Sequence, residues 1–204
     1  KVQHLREGRE MKIANALTFM ANERVHMDSA YAGDIIGIYN HGQLHIGDTL
    51  TEGEKLGFTG IPYFAPELFR SARARDPLKG KQLHQGLKEL GEEGAIQVFE
   101  GEFGNLMLGA VGQLQFEIVA QRLATEYKVD AIYEPTDVST ARWLVFPDDV
   151  TKKNFMNEQS NRLARDCEGN ICYMATSIYN LQTTMKHWPD VKFLTTREQG
   201  QKFE

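Results

Sequence analysis

The chain has 204 residues, of which 41% are hydrophobic and 25% are charged, and its formal net charge is −5 at pH 7. These fractions are ordinary for a soluble globular protein and exclude disordered and fibrous classes, while no apolar run approaches the ~18 residues of a membrane-spanning helix. The acidic charge argues against a nucleic-acid binder that is basic all over, although it leaves room for a local basic face. A cytoplasmic protein is the simplest expectation.

Residues 1–60 carry short β-branched or aromatic runs broken by Gly, Asn and Asp, such as ERVHMDS and AGDIIGIYN. Strand-sized runs with turn residues at this spacing predict a small β-barrel. Only about four or five strands are recognisable, and a barrel cut off in this way would leave an open edge. We therefore expect this first domain to be the latter part of a barrel whose other strands lie upstream, and the chain to be a fragment.

Two prolines mark Thr59–Glu67, TGIPYFAPE, as a linker. The pattern that follows is strand, helix, strand, strand, helix, strand, which is the order of a ferredoxin-like sandwich. Its first helix should begin after Asp76 as N-cap, with Pro77 at the first helical position. The four strands are predicted at ELFRSARAR, AIQVFE, LMLGAV and VDAIYE.

Apolar spacing predicts which helix faces are buried. In the first helix, Leu83, Leu87 and Leu90 recur at i, i+4 and i+7. In the second helix, one stripe is expected to form the core: Leu114, Ile118, Val119, Leu123 and Tyr127.

A further strand and helix set follows, which we expect to form a second α/β layer fused to the first. Strands are predicted at RWLVF, NICYMAT and VKFLTT, one helix near Lys152–Arg165 and another helix after Ser177 as its cap. The two halves suggest a loose internal repeat. The predicted second domain spans residues 61–204, and the fold class is α+β. The last helix should bury one line of residues, namely Ile178, Leu181, Met185 and Trp188.

The sequence offers little catalytic or ligand-binding chemistry. It has no phosphate loop of the G-x-x-x-x-G-K-[ST] type, so this chain is expected neither to bind GTP nor to be an enzyme. Cys167 and Cys172 have no further ligands close by in sequence and are expected to be reduced thiols. His41 and His45 flank a turn and have no third ligand nearby, which disfavours a metal site. No catalytic, cofactor-binding or metal-binding residue is therefore predicted.

Positive charge is concentrated in FRSARARDPLKGK. Strand alternation places Arg73 and Arg75 on one face and Arg70 on the other. The cluster is either a solvated edge or a contact to RNA or an acidic partner. The candidate contact residues are Arg70, Arg73, Arg75, Lys79 and Lys81.

Longer motifs resemble a known family. Residues 9–50, with the marks AN, AGDI and GDTL, resemble the latter part of the β-barrel second domain of translational GTPases. LMLGAVGQLQFEIVAQRLATEYKVDAIYEP is similar to the third domain of the elongation-factor-G type, although Gln115 stands where that factor has His. Together with TGIPYFAPELFR, DPLKGKQL, TARW and WPDVKFLTTRE, these motifs resemble the bacterial class II peptide chain release factors.

The resemblance implies the C-terminal part of a GTPase that enters the termination ribosome and promotes departure of the class I release factor. GTP and magnesium would bind in an N-terminal G domain upstream of Lys1. The implied partners are ribosomal RNA and proteins, class I release factors and the protein's own G domain, with no membrane. Two alternatives stay open. One is a ferredoxin-like regulatory module with a small-molecule pocket between paired sheets, and the other is an acylphosphatase-like enzyme, which would need an Arg in a phosphate-cradling loop.

Overall fold

A computed structural model describes residues 1–13, 16–20, 23–27, 29–40, 43–44, 46–56, 58, 62–198, 201 and 203. The chain divides into two compact units, Lys1–Gly60 and Ile61–Glu204. Within the described residues, every helix is too short or too polar to cross a membrane.

The first unit is made of short antiparallel strands. They are β1 (Val2–His4), β2 (Arg9–Met11), β3 (Leu17–Met20), β4 (Glu23–His26) and β5 (Leu50–Thr51). β1 pairs with both β2 and β5, while β3 and β4 form a separate hairpin. Among these described strands no closed barrel forms, which agrees with the prediction of a partial one.

Asp48 is the polar centre of the first unit. Its Oδ2 lies 2.8 Å from Nε2 of His4, which is only 1% exposed. Arg6 donates from Nε to Oδ1 of the same carboxylate at 2.6 Å. Because buried polar groups need partners, Asp48 holds β1 and the turn after it against the segment that leads into β5. The GDTL motif thus has a structural role, which is to place this carboxylate.

The second unit contains an eight-stranded antiparallel sheet within residues 68–194, in the order β10-β7-β9-β8-β12-β13-β11-β14. A separate two-stranded ribbon pairs β6 with β15. The elements are β6 (Pro62–Phe64), β7 (Leu68–Ala74), α1 (Gly80–Glu92), β8 (Gln97–Gly101), β9 (Leu106–Ala110), α2 (Gln113–Glu126), β10 (Ala131–Pro135), β11 (Thr140–Val145), α3 (Asp149–Glu158), β12 (Leu163–Asp166), β13 (Ile171–Ala175), α4 (Ile178–His187), β14 (Lys192–Leu194) and β15 (Thr196–Glu198).

The large sheet consists of two ferredoxin-like halves placed side by side. The strands of each half, numbered along the chain, lie in the order 4-1-3-2: β10-β7-β9-β8 in one and β14-β11-β13-β12 in the other. The halves join where β8 pairs antiparallel with β12. Since equivalent edge strands meet antiparallel, a pseudo-two-fold axis relates the halves. The suggested internal repeat is therefore real, but the prediction of a second layer was wrong, because the second half extends the same sheet.

The strand β12 is absent from the sequence prediction, which placed a helix near Lys152–Arg165. The helix α3 begins earlier, where the Asp148 carboxylate accepts a hydrogen bond from the Thr151 N–H at 2.8 Å, and it ends at Glu158. One 3-10 turn, Ser160–Arg162, then leads into the strand. Leu163–Asp166 is extended because ladder hydrogen bonds to β8 on one side and β13 on the other stabilise it. The bonds to β8 come from distant sequence, which local periodicity could not reveal, whereas those to β13 close a hairpin across residues 167–170 that the helix assignment overlooked.

The predicted linker Thr59–Glu67 also contains a strand. Pro62–Phe64 is β6, which pairs with β15 near the end of the chain. Residues 59–61 lie outside the described residues. The two prolines of the motif are compatible with this pairing because β6 is an edge strand.

Both helix pairs lie on one face of the large sheet. Glu100 and Arg165 are directly opposite in the β8–β12 ladder, and directly opposed residues share a face. Val98 lies two residues from Glu100 on β8 and so points to the same face, where it packs under α1 and α2. Leu163 lies two residues from Arg165 on β12, and it packs with the α3 and α4 core. The buried centres of the two cores are Leu83, Leu87, Leu90, Leu108, Phe116 and Leu123 in the first and Leu144, Phe155, Tyr173, Leu181 and Val191 in the second.

The core face of α1 agrees with its prediction, whereas that of α2 differs. Leu114 and Ile118 are 63% and 46% exposed, while Phe116 is 2% exposed and Val119 and Leu123 are fully buried. At 3.6 residues per turn, positions 114 and 118 lie on the side of the helix opposite position 116. The predicted stripe merged two apolar faces, only one of which meets the sheet.

The helix α4 shows the same kind of difference. Its N-cap is Ser177, as predicted, because the Ser177 hydroxyl accepts from the Asn180 N–H at 3.0 Å. Leu181 is buried, but Ile178 and Met185 are 55% and 41% exposed. The second buried position is Thr184, whose hydroxyl lies 2.8 Å from the Tyr173 hydroxyl. A polar residue is buried there because this hydrogen bond satisfies it.

The β6–β15 ribbon packs on the opposite face of the sheet, and Arg197 of β15, which is 6% exposed, is at the centre of this contact. Its Nε lies 2.8 Å from Asp166 Oδ2, its Nη1 lies 3.1 Å from Glu168 Oε1, and its guanidinium stacks on Tyr63 and Trp143. Trp143 Nε1 also donates to Asp166 Oδ2 at 3.0 Å. We call these five residues the Arg197 cluster. It fastens both strands of the β6–β15 ribbon to the large sheet.

The corrected face of α2 can be tested by comparing Phe116→Ala with Ile118→Ala. Loss of the buried ring should lower the free energy of unfolding by about 3–5 kcal/mol. The exposed position should lose less than about 1 kcal/mol. Urea unfolding followed by tryptophan fluorescence reports on this unit alone, since both Trp143 and Trp188 belong to it. A larger loss for Ile118→Ala than for Phe116→Ala would contradict the assignment.

The Arg197 cluster predicts a strong effect of Arg197→Met. The variant leaves Asp166 and Glu168 buried without their cation, so unfolding should become easier by about 3–5 kcal/mol. Arg162→Met is the matched control, because Arg162 and Asp137 form an ion pair with 36% and 71% exposed side chains and should contribute less than about 1 kcal/mol. Equal losses in both variants, measured by the same urea titration, would show that Arg197 is not the centre of this face.

Candidate functional site

Arg70 lies apart from the other candidate cations. Strand alternation turns its side chain to the helix face of β7, as predicted, where its guanidinium carbon lies 5.9 Å from the Phe116 ring centroid. Its Nη1 donates to the Phe69 carbonyl at 3.0 Å. Half-buried and stacked, Arg70 supports the core and is poorly placed to contact a partner.

Arg73 and Arg75 lie on the opposite face of β7, near its pairing with β10. Arg73 Nε donates to Glu134 Oε1 at 2.7 Å, and the two side chains are 55% and 47% exposed. Such an exposed ion pair stabilises the fold little, but it offsets the Arg73 charge. Arg75 has an exposed side chain, and its backbone N–H donates to the Asp130 carbonyl at 2.8 Å.

The two lysines of the cluster have different roles. Lys79 Nζ donates to the Lys128 carbonyl at 2.6 Å, just beyond the end of α2. A cation there interacts favourably with the carbonyl end of the helix, so Lys79 is partly structural. Lys81 is exposed in the first turn of α1. For the side chains of Arg75 and Lys81, the contacts among described residues include no partner.

Four of the five candidates therefore surround one end of the sheet, where β7 passes into α1 and α2 passes into β10. They differ in how freely they could bind a partner. Arg73 and Lys79 already bind other groups of this chain, whereas Arg75 and Lys81 face solvent. We call this region, formed by Arg73, Arg75, Lys79 and Lys81, the basic edge. This exposed positive charge is suited to electrostatic contact with an anionic partner.

The thiols are poor nucleophiles. Neither Cys167 nor Cys172 forms a disulfide. Burial raises the pKa of the Cys167 thiol to about 12, and burial raises the pKa of the Cys172 thiol well above its usual range. Since only the thiolate is a good nucleophile or metal ligand, both cysteines are structural.

Metal-binding clusters are likewise missing from the described part of the chain, where no three His, Cys, Asp or Glu side chains converge. The pair His41 and His45 lies outside the described residues.

Sequence reasoning missed a cleft between the two helix pairs. Its floor is the β8–β12 ladder, and its volume is about 690 Å³. Glu100 and Arg165 stand in it from opposite strands, and Met156 of α3 lines one side. The cleft exists only because Leu163–Asp166 is a strand, so no sequence signal could have located it once those residues were assigned to a helix.

Known proteins match both units of the chain. Residues 58–185 match the family described as Class II release factor RF3, C-terminal domain. Residues 1–53 match Elongation factor G domain 2. The chain is 71% identical over 202 residues to Peptide chain release factor 3 of Aromatoleum aromaticum, a match that covers 99% of this chain and 37% of that protein. The chain thus spans little more than a third of the length of this relative.

A solved structure also resembles the chain. It is a crystal structure of a protein from Thermus thermophilus, with a TM-score of 0.52 at 22% identity over 66% of this chain and 21% of that one. At this identity the likeness shows the fold alone. The expected fold class, α+β with part of a translation-factor second domain ahead of a ferredoxin-like domain, is confirmed. With a family match over residues 58–185, the chain belongs to the class II release factors, as its sequence motifs predict.

Proposed function

We propose that this chain is the ribosome-docking and G-domain-coupling part of a translation-termination GTPase. The longer protein would promote departure of class I release factors from the ribosome. GTP and magnesium would bind in its G domain, and the protein would work in the cytoplasm. The observation that carries the proposal is the 71% identity to Peptide chain release factor 3 across 99% of the chain.

The structure of the second unit is consistent with a docking role. Its cores are dense in aromatic contacts, such as those of Phe155 with Phe146, Tyr173, Trp188 and Phe193. Close packing of this kind makes a rigid body that transmits force rather than deforming. Rigid docking surfaces lose little conformational entropy on binding.

The proposed contact to ribosomal RNA is the basic edge. With a net charge of −5, most of the surface repels phosphate, so docking must rely on local cations. Arg75 and Lys81 are the best candidates, because Arg73 is already paired with Glu134 and Lys79 with a carbonyl oxygen. Arg70 is the weakest candidate, since it stacks on Phe116.

We expect Arg75→Ala with Lys81→Ala in the full-length factor to weaken ribosome binding. Each cation removed from a phosphate should flatten the salt dependence of binding by about 0.7–0.9 in slope. The melting temperature should stay nearly unchanged, because both side chains are exposed. The matched control is Lys153→Ala with Lys186→Ala, which removes the same charge from exposed positions on α3 and α4. Equal weakening in both double variants would mean that net charge, rather than this edge, governs docking.

We also expect the 204-residue chain to show no saturable GTP binding, because its sequence has no phosphate loop. Fluorescence titration with a labelled GTP analogue measures this directly. Micromolar affinity for this chain would contradict the assignment of nucleotide binding to a G domain elsewhere in the protein.

A further inference from the structure

The cleft on the pseudo-two-fold axis has the form of a ligand site. It lies on the helix face of the sheet, where the two helix pairs leave Glu100 of β8 and Arg165 of β12 exposed between them. Its volume of about 690 Å³ falls within the range of about 300–1,000 Å³ that is typical of small-molecule sites. A smaller pocket of about 240 Å³ adjoins it on the α1 side, where His84 and Lys88 line it and Glu100 and Arg165 are shared.

The floor of the cleft carries two opposite charges that do not neutralise each other. Glu100 and Arg165 are directly opposed in the ladder, and opposed charges of this kind normally pair and stabilise a sheet. Here Glu100 Oε1 instead lies 3.4 Å from His84 Nε2. Arg165 Nη1 turns to the Gly169 carbonyl at 3.0 Å. Among the described side chains, no ion pair joins Glu100 to Arg165.

Both charged groups keep unused hydrogen-bonding capacity. A guanidinium has five N–H donors and a carboxylate has about four acceptor positions. Arg165 donates once to the Gly169 carbonyl, and Glu100 has the single contact to His84. The floor of the cleft therefore presents a cationic donor, Arg165, and an anionic acceptor, Glu100, side by side on neighbouring strands, and a second carboxylate, Glu102, lies at the rim.

The remaining lining differs between the two sides. The α3 side combines three apolar residues, Met156, Leu163 and Ile171, with three polar ones, Glu102, Asn157 and Ser160. On the α1 side the lining is polar, with His84 and Lys88. The wall formed by the α3 side thus offers an apolar surface beside hydrogen-bonding groups, and the floor carries two opposite charges.

We propose that this cleft binds a small zwitterion of the α-amino-acid class, as a site additional to the docking function proposed above. The ligand carboxylate would form an ion pair with the guanidinium of Arg165, whose N–H donors match carboxylate geometry. The ligand ammonium would form an ion pair with the Glu100 carboxylate. An apolar ligand side chain would lie against Met156, Leu163 and Ile171. A ligand with only one charge would leave either Glu100 or Arg165 facing it unfavourably, so the pair selects for ligands that carry both charges.

The test is a thermal-shift screen of the 204-residue chain against each of the twenty natural L-amino acids in turn, followed by calorimetric titration of those that bind. We expect at least one amino acid with an apolar side chain to raise the melting temperature, since a ligand that binds only the folded state stabilises it. The N-acetyl and the amide derivatives of the same amino acid, each lacking one charge, should fail to do so. The proposal is overturned if none of the twenty raises the melting temperature, or if either singly charged derivative binds as tightly as the parent.

Variants locate the site. Glu100→Gln and Arg165→Gln should each weaken binding about tenfold or more, the usual effect of losing a charged hydrogen bond. Glu117→Gln and Lys186→Gln remove the same charges from exposed positions outside the cleft and should bind normally. Thermal melts without ligand confirm that all four variants fold. Unchanged affinity in both cleft variants would place the ligand elsewhere and overturn the proposal. This experiment uses no ribosome, so its failure would leave the docking proposal untouched, and failure of docking would leave the ligand site untouched.

Discussion

The antiparallel pairing of β8 with β12 is the constraint on which the second unit depends. Each ferredoxin-like half has an edge strand that would otherwise expose unpaired N–H and C=O groups. Joining these edges satisfies both strands and makes one continuous sheet. Because the pairing is antiparallel, both helix pairs are directed to the same face, and a cleft remains between them.

Successive residues of β12 make contacts on opposite faces of the sheet. Arg165 points into the cleft, whereas the next residue, Asp166, points to the back and pairs with Arg197. Successive strand residues alternate in this way, so one short strand organises the ligand-sized cleft and the Arg197 cluster together. The cluster in turn ties β6, at the start of the unit, to β15, near its end. The two ends of the unit are thereby held at one place on the back of the sheet.

Charge on this protein acts locally. Five cations close in sequence divide into a stacked core residue, Arg70, an ion-paired residue, Arg73, a helix-end donor, Lys79, and the two exposed residues Arg75 and Lys81. The sequence alone counts them equally, but their partners decide how much charge each presents to solvent. The proposed docking surface is accordingly narrower than the sequence cluster.

The sequence by itself determined the features that depend on interactions between residues a few positions apart. The strands around Gly101–Asn105, the Ser177 cap, the buried face of α1 and the family motifs were all predictable, since turn residues, capping side chains and leucine spacing act within a few positions. Asp76 is a cap as predicted, but of the 3-10 turn Pro77–Lys79, and α1 itself begins at Gly80. The tertiary structure decided the strand Leu163–Asp166, the buried face of α2 and the cleft. The β8–β12 pairing, the buried face of α2 and the cleft depend on hydrogen bonds and packing between residues far apart in sequence, whereas the β12–β13 hairpin is local and was overlooked by the helix assignment. An apolar residue such as Ile118 satisfies helical spacing equally well on either face, and only the position of the sheet decides which face is buried.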